Sequence, residues 1–370
     1  MKTLLIGGSG PTGPHVLAGL LDRGHDVTVL HRGLHELDGD LPVRHIHADP
    51  HFRETLADAV RGERFDLVLS MYGRMIVAAE VFAGRCEHLV CIGGVPVYRG
   101  LLDPRLGEPY GMALLADEDG PLAQQDGASS AIAAKMVQAE RRMFDSAEAG
   151  AYGATVIRYP QIYGPRNVLP TEWIIVRRIL DGRKRMVLPD HGLWVISRCA
   201  ARNAAALVLA VCDAGTRAFG RAYNAADDEQ FTIRQWSELV ARAAGGSLEF
   251  VGVPSEFCAA VLGGVLPPGA EPHMLVTAER ARRELGYSAA TSAREALAES
   301  VAWLKAHPVT PESHPTFAAS FDYDWEDQII AAYERAARWI RQAAPQPRIE
   351  VRHPMPHPQA PSLTGDGQGR

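Results

Sequence analysis

The sequence has few lysines and no paired cysteines, and both features exclude classes of function. Only four lysines occur among 370 residues, and no cluster of Lys and Arg stands out in a chain of net charge −6. This excludes the basic patch that nucleic acids or anionic membranes require. The five cysteines are scattered, with no CxxC pair or metal-like spacing, which is typical of buried thiols in a reducing compartment. There is no signal-peptide pattern and no uncharged run of roughly eighteen residues. We therefore expect a cytoplasmic protein without a metal site.

The strongest pattern lies in the first 33 residues. An apolar run at residues 4–6 leads to Gly7, Gly10 and Gly13, and apolar residues then follow at helical spacing. A strand, a tight turn and a helix of this kind bring backbone amides to a helix N-terminus, where the pyrophosphate of a dinucleotide binds. Ser9, Pro11 and Thr12 belong to the same turn and are candidate cofactor-binding residues. The alternative is an ordinary tight turn between a strand and a helix.

The end of the next predicted strand indicates which dinucleotide is bound. An acidic residue there accepts hydrogen bonds from the ribose of NAD, whereas this chain has His31 and Arg32. A guanidinium favours a 2′-phosphate, so we expect NADP(H) over NAD(H), with Ser9 as a further hydroxyl partner. The alternative is that Arg32 is a solvated loop residue. Asp49, after the third strand, is a candidate partner of the adenine amino group or a turn residue.

Further strand-like runs alternate with segments long enough for helices. Four such runs lie at residues 43–47, 66–70, 88–92 and 154–158. This alternation predicts an α/β fold with a doubly wound parallel sheet, whose ligands lie at the carboxyl ends of the strands. Apolar spacing predicts later helices at residues 129–148, 171–180, 200–211, 232–244, 278–285, 292–306 and 325–341.

These motifs together resemble the extended branch of the short-chain dehydrogenase/reductase superfamily, the NAD-dependent epimerase/dehydratase-like proteins. The resemblance covers roughly residues 1–308. It rests on GGSGPTG at 7–13, VPVYRG at 95–100, VIRYPQIYGPRN at 156–167, YNAADDEQFTIRQWSELVARAAG at 223–245 and the helical segment 279–307.

The resemblance implies a Rossmann domain followed by a smaller substrate domain. The dinucleotide-binding domain would comprise residues 1–165 with a returning strand near 219–228, and residues 166–344 would form mainly the substrate domain and C-terminal helices. Residues 345–370 are rich in proline and glycine without periodicity, which predicts a disordered tail. Pairing of family members through two long helices implies a homodimer by analogy.

The catalytic residues that the resemblance implies are only partly present. The family uses a Tyr-x-x-x-Lys pair, in which lysine binds the ribose and lowers the tyrosine pKa while tyrosine moves the proton. Lys135 matches the lysine, but Ala131 stands where the tyrosine belongs, and the hydroxyl residue after the fifth strand is also missing.

Other side chains are candidates for the missing acid. Tyr98, Tyr72 and Tyr163 follow strand ends, and Tyr159 joins Lys135 as a candidate cofactor contact. The alternative is a protein that binds dinucleotide without redox chemistry.

The substrate side also departs from the nucleotide-sugar enzymes. Their arginine and aspartate stretch corresponds to residues 190–205, which keep only Arg198 and Asn203. Trp194, Trp173 and Met186 form either an apolar pocket or core. We therefore expect an NADP(H)-dependent oxidoreductase-like enzyme for a carbonyl or alcohol of a small non-nucleotide metabolite, acting as a reductase, epimerase or dehydratase. The alternatives are a non-catalytic NADP-binding sensor or scaffold and a nucleotide-sugar epimerase/dehydratase.

Overall fold

The computed structural model describes residues 1–33, 42–71, 73–124, 131–262, 273–310 and 313–346. Its strands are β1 (Lys2–Ile6), β2 (Asp26–His31), β3 (Arg44–His47), β4 (Phe65–Ser70), β5 (Cys86–Gly94), β6 (Gly153–Tyr159), β7 (Gln161–Tyr163), β8 (Arg185–Pro189), β9 (Arg198–Ala200), β10 (Arg221–Asn224) and β11 (Glu249–Val253). Its helices are α1 (Gly13–Asp22), α2 (Arg53–Ala59), α3 (Met75–Val81), α4 (Ala131–Glu148), α5 (Trp173–Leu180), α6 (Ala201–Ala214), α7 (Ile233–Ala243), α8 (Ser255–Cys258), α9 (Glu279–Leu285), α10 (Ala293–Ala306) and α11 (Tyr323–Ala343).

Seven parallel strands form the central sheet, in the order β10, β6, β5, β4, β1, β2, β3. The chain first builds outward from β1 to β3 and then returns to β4 on the other side of β1. The strand order therefore reverses next to β1, which is where ligands bind in open parallel sheets. The prediction of a doubly wound parallel sheet is confirmed.

Helices cover both faces of this sheet, because its strands are apolar on both sides. On one face α1 packs against α6 so closely that a Cβ on Gly19 would lie 2.3 Å from Leu209 Cδ1. On the other face the buried side chains of α2, α3 and α4 form a second apolar cluster. None of the described helices is long and apolar enough to cross a membrane.

The rest of the chain packs around two small parallel sheets, β8 with β11 and β7 with β9. Their strands have three to five residues, and the sequence pattern did not predict them. A buried ion pair joins α5 to α11, with 3.2 Å between Arg178 Nη2 and Glu326 Oε1. The same carboxylate accepts a hydrogen bond from the backbone of Val187 in β8. Through these contacts the C-terminal helix is fixed to the β8 and β11 sheet.

Candidate functional site

The turn after β1 is shaped by its glycines. Gly7 and Gly8 have φ of 91° and 98°, which L side chains rarely adopt. A Cβ on Gly13 would lie only 1.9 Å from the carbonyl oxygen of Gly8, so the first residue of α1 has to be glycine. A Cβ on Gly10 would meet nothing within 4 Å in the described part of the chain. Among the described residues neither packing nor backbone conformation requires glycine at position 10, which leaves room for a ligand to approach the backbone closely.

This turn forms one wall of a cleft of about 630 Å³ at the carboxyl ends of the strands. The lining residues come from the β1 turn, the end of β2, the loops after β3 and β4, Ile92 in β5, and the segment that starts at the end of β6. Among the predicted cofactor-binding residues, those that line it are Gly7, Ser9, Gly10, Pro11, Thr12, Gly13, His31, Arg32 and Tyr159. The cleft has the size of a cofactor site, and its glycine wall fits the pyrophosphate of a dinucleotide.

At the end of β2, His31 lies beside two histidines of β3 and is followed by Arg32. The Nδ1 of buried His31 accepts a hydrogen bond from the backbone N–H of Gly33 at 3.1 Å, so Nε2 is the nitrogen that donates to His45 Nδ1, 2.9 Å away. The ring of His47 lies 4.8 Å from that of His31 in an edge-on arrangement. Arg32 is exposed at the cleft. No carboxylate is among the described residues that line this cleft, so its electrostatics favour an anionic group.

Asp49 and Lys135 do not line the described part of the cleft. The carboxylate of Asp49 accepts hydrogen bonds from the backbone and ring of His51, and the backbone bond is the main cause of its lowered pKa. It is thus a turn residue whose neighbour, Pro50, reaches the cleft. Lys135 is exposed on α4, although the adjacent Met136 packs against Gly94 at the end of β5.

Two of the candidate tyrosines lie in the protein interior. The hydroxyl of Tyr98 donates to Asn224 Oδ1 at 2.8 Å and accepts from Arg158 Nη1 at 3.0 Å. Tyr163 donates to Asp227 Oδ2 at 2.7 Å. Burial raises the pKa of both phenols. Neither lines the cleft in the described part of the chain, and Tyr72 lies outside the described residues.

Tyr159 is the tyrosine that the structure does bring to the cleft. It ends β6 opposite Gly94 of β5, and its hydroxyl lies beside Thr12 without a well-aligned hydrogen-bond partner among the described residues. Burial raises its pKa, so the phenol is neutral at pH 7. Tyr159 therefore places a neutral hydroxyl beside the glycine turn, at the end of β6.

A smaller cavity of about 50 Å³ lies next to the cleft, and Gln161 lines both. Arg198 and Trp194, which the sequence singled out, line this cavity together with Trp236, which it did not. Asn203 instead has a structural role, since its amide donates to Asp227 Oδ1 at 2.7 Å. Gln161 was not predicted as a site residue, and the one feature of the sequence that points to it is its position in the YPQIYG segment, two residues after β6.

Trp173 and Met186, the other candidates for an apolar pocket, are buried in the core of the C-terminal part. They line neither the cleft nor the smaller cavity among the described residues.

Comparisons with known proteins agree with this architecture. No family model matches the chain. The chain is 27% identical over 310 residues to a curated Streptomyces protein named 3-diazoavenalumate denitrifying reductase, covering 78% of this chain and 95% of that protein.

Solved structures show the same fold. UDP-glucuronic acid 4-epimerase from Bacillus cereus, in complex with UDP-glucuronic acid and NAD, matches with a TM-score of 0.64 at 15% identity, over 83% of this chain and 100% of that one. dTDP-glucose 4,6-dehydratase from Bacillus anthracis, in complex with NAD, matches with a TM-score of 0.63 at 16% identity, over 83% and 97%. The motif resemblance to the epimerase/dehydratase group is thus confirmed in the fold.

Proposed function

We propose that this chain, which has the fold of the NAD-dependent epimerases and dehydratases, is an NADP(H)-dependent oxidoreductase-like enzyme. Its substrate would be a carbonyl or alcohol of a small non-nucleotide metabolite, handled as a reductase, epimerase or dehydratase. The observation that carries this proposal is Gly10, where a Cβ would point into open space in a cleft at the switch in strand order. The name of the Streptomyces relative, a reductase, supports reductive chemistry.

The residues of the cleft have separate tasks in this proposal. Backbone amides of the turn and the N-terminus of α1 would hold the pyrophosphate. Arg32 would pair with a 2′-phosphate, with His31 beneath it. Apolar side chains that line the cleft, Met71, Ile92 and Ile162, would exclude water from the reacting end. The nicotinamide, when bound, supplies or accepts the hydride.

The proton donor in this proposal is neither of the two buried tyrosines, Tyr98 and Tyr163. The hydroxyls of Tyr98 and Tyr163 make internal hydrogen bonds. Donating a proton to a substrate would require these buried hydrogen bonds to break. We therefore assign the acid to Tyr72, which follows β4, with Lys135 retained as the lysine of the family motif. Tyr159 serves as a cofactor contact.

A second candidate reaction needs no acid. The Streptomyces relative is named for the removal of nitrogen from a diazo compound. Hydride delivered to a diazonium carbon forms the new C–H bond, and the C–N bond electrons leave with N₂, so no alkoxide has to be protonated. The alanine at position 131 favours such a reaction, because the usual tyrosine is dispensable in it.

The same alanine also favours the non-catalytic sensor, so binding and turnover have to be measured separately. Fluorescence titration with NADPH and NADH tests the cofactor site, and loss of NADPH absorbance over a panel of aldehydes, ketones and aryl diazonium salts tests turnover. Tight NADPH binding with turnover of one class supports the enzyme and identifies its chemistry. Tight binding without turnover supports the sensor, and no binding of either dinucleotide overturns the proposal.

A further inference from the structure

Several buried polar atoms around the small cavity beside the cleft have no hydrogen-bond partner among the described residues. It is lined by Gln161 and Thr171, by residues of α5 and α7, and by Trp194 and Arg198. Most of its wall is apolar, and its volume of about 50 Å³ is that of a few water-sized groups. A cavity of this kind fits a small polar group at the end of a larger molecule, and it is too small for a sugar or nucleotide.

Arg198 is the main charged group of this cavity. Its side chain is 5% exposed, and its guanidinium carbon lies 4.5 Å from the ring centroid of Trp236. Within the described residues its guanidinium forms no ion pair: Nη1 donates to the backbone carbonyl of Ile196 at 3.3 Å, and Nε has no acceptor. Burial lowers its pKa to about 10, so the guanidinium remains charged at neutral pH. A buried charge without a contacting counter-ion is costly unless a ligand supplies one.

Neighbouring polar groups of the cavity also lack hydrogen-bond partners within the described ranges. Trp194 and Trp236 are each 5% exposed, and the indole N–H of each has no acceptor in the described part of the chain. The amide nitrogen of Gln161 donates to Thr171 Oγ1 at 3.1 Å, and its buried oxygen has no partner among the residues that the structure describes. A 180° rotation of this amide would turn its free end into a donor, because Thr171 can then donate instead.

Glu172 is the acidic group whose charge acts on Arg198, and it does not neutralise it by contact. Its Oε1 accepts from Ser300 Oγ at 3.3 Å, and its Oε2 has no partner among the described residues. Burial raises the pKa of Glu172, which favours its neutral form. Tyr163, the other group that acts on Arg198, donates to Asp227. The guanidinium of Arg198 therefore has no contacting carboxylate among the described residues.

We propose that this cavity binds a carboxylate of the substrate, with Arg198, Trp194 and Trp236 as donors and Gln161 as the link to the cleft. The proposal rests on the proposed function, because it assigns the substrate of that enzyme to the class of small carboxylic acids. The carboxylate would lie on Arg198 while the reacting carbon lies beyond Gln161, in the dinucleotide cleft. A planar group with several acceptor atoms matches a guanidinium and two indole donors.

Isothermal titration calorimetry on the full chain tests this directly. Acetate, pyruvate and benzoate are titrated against the matched neutral amides acetamide, pyruvamide and benzamide. At least one acid should bind roughly tenfold or more tightly than its amide, because hydrogen bonds to an ionised acceptor are the stronger ones. Arg198→Met should abolish that preference. Trp194→Phe, which keeps an aromatic ring and removes the N–H, should reduce it, while Trp339→Phe on exposed α11 should leave it unchanged.

The outcomes separate this proposal from the proposed function. If every acid binds no better than its amide, or the preference survives in Arg198→Met, the carboxylate site is refuted, whatever NADPH does. If the acids bind through Arg198 but neither dinucleotide binds, the proposed function fails and the site stands. Should Arg198→Met fail to fold, the double variant Trp194→Phe/Trp236→Phe decides, since full acid preference in it contradicts the proposal.

Discussion

The Cβ that an alanine would place at position 13 lies 1.9 Å from the carbonyl oxygen of Gly8. The turn after β1 thus packs against the first residue of α1 without room for a side chain. Gly10, three residues earlier, faces open space in the same turn. We therefore expect the two glycines to have different roles, Gly13 in folding and Gly10 in binding the proposed cofactor.

Gly13→Ala and Gly10→Ala should separate these two roles. Gly13→Ala should lower the free energy of unfolding by about 1–3 kcal/mol or more, as overpacking does. Gly10→Ala should change it by less than about 0.5 kcal/mol and still weaken NADPH binding. Urea unfolding and NADPH titration of both variants check this. Unchanged NADPH affinity in Gly10→Ala would show that the cleft does not hold the pyrophosphate.

His88 should make stability depend on pH. Its buried ring donates from Nε2 to Thr155 Oγ1 at 2.9 Å, because that hydroxyl itself donates to Ala218, and burial lowers the pKa of His88 to about 4. The unfolded chain, with a histidine pKa near 6.5, then binds the proton more tightly. The stability that the neutral His88 ring gives to the folded protein is therefore fully present above about pH 6.5, and it is lost as the pH falls towards 4.

Between pH 7 and pH 5 this one group should cost about 2 kcal/mol of unfolding free energy. His88→Gln should flatten that slope, as measured by urea unfolding at the two pH values. His307→Gln, at the exposed end of α10, is the matched control and should keep the wild-type slope. An equal slope in wild type and His88→Gln would contradict the assignment.

The buried pair of Arg158 and Glu140 should be a stability determinant. Arg158 Nη2 lies 2.8 Å from Glu140 Oε2, and both residues are 3% exposed. Glu140→Ala leaves the guanidinium buried without its counter-ion, so we expect a loss of about 3–5 kcal/mol. Glu148→Ala, exposed at the end of the same helix, should change stability by less than about 0.5 kcal/mol. A small effect of Glu140→Ala in chemical denaturation would show that other groups compensate the charge.

Lys135 should matter for turnover and not for folding. It is exposed on α4, so Lys135→Ala should keep the wild-type melting temperature. If it positions ribose and proton donor, kcat should fall by roughly tenfold or more. Lys184→Ala, also an exposed lysine, should leave kcat unchanged. A wild-type rate in Lys135→Ala would remove this lysine from the mechanism.

The local patterns were readable from sequence, and the long-range partners were not. The β1 turn could be predicted because strand, glycines and helix are contiguous, and the helix predicted at 171–180 is observed at Trp173–Leu180. The position of Tyr98 after a predicted strand made it a candidate proton donor. Its hydroxyl donates to Asn224, which is 126 residues away in the sequence, so only the tertiary structure shows that this hydroxyl already has a partner. The small cavity depends in the same way on α7 meeting β9. The short β8 and β11 strands escaped prediction because five residues carry little periodicity.

The most direct test of the account is the ratio of NADPH to NADH affinity in wild type and in Arg32→Ala, with Arg338→Ala on α11 as the control. A guanidinium paired with the 2′-phosphate predicts that wild type binds NADPH roughly tenfold or more tightly than NADH. Arg32→Ala should lose that preference with little change for NADH, and Arg338→Ala should keep it. Equal or tighter binding of NADH by the wild-type protein would contradict the assignment of Arg32 and of NADP as the cofactor.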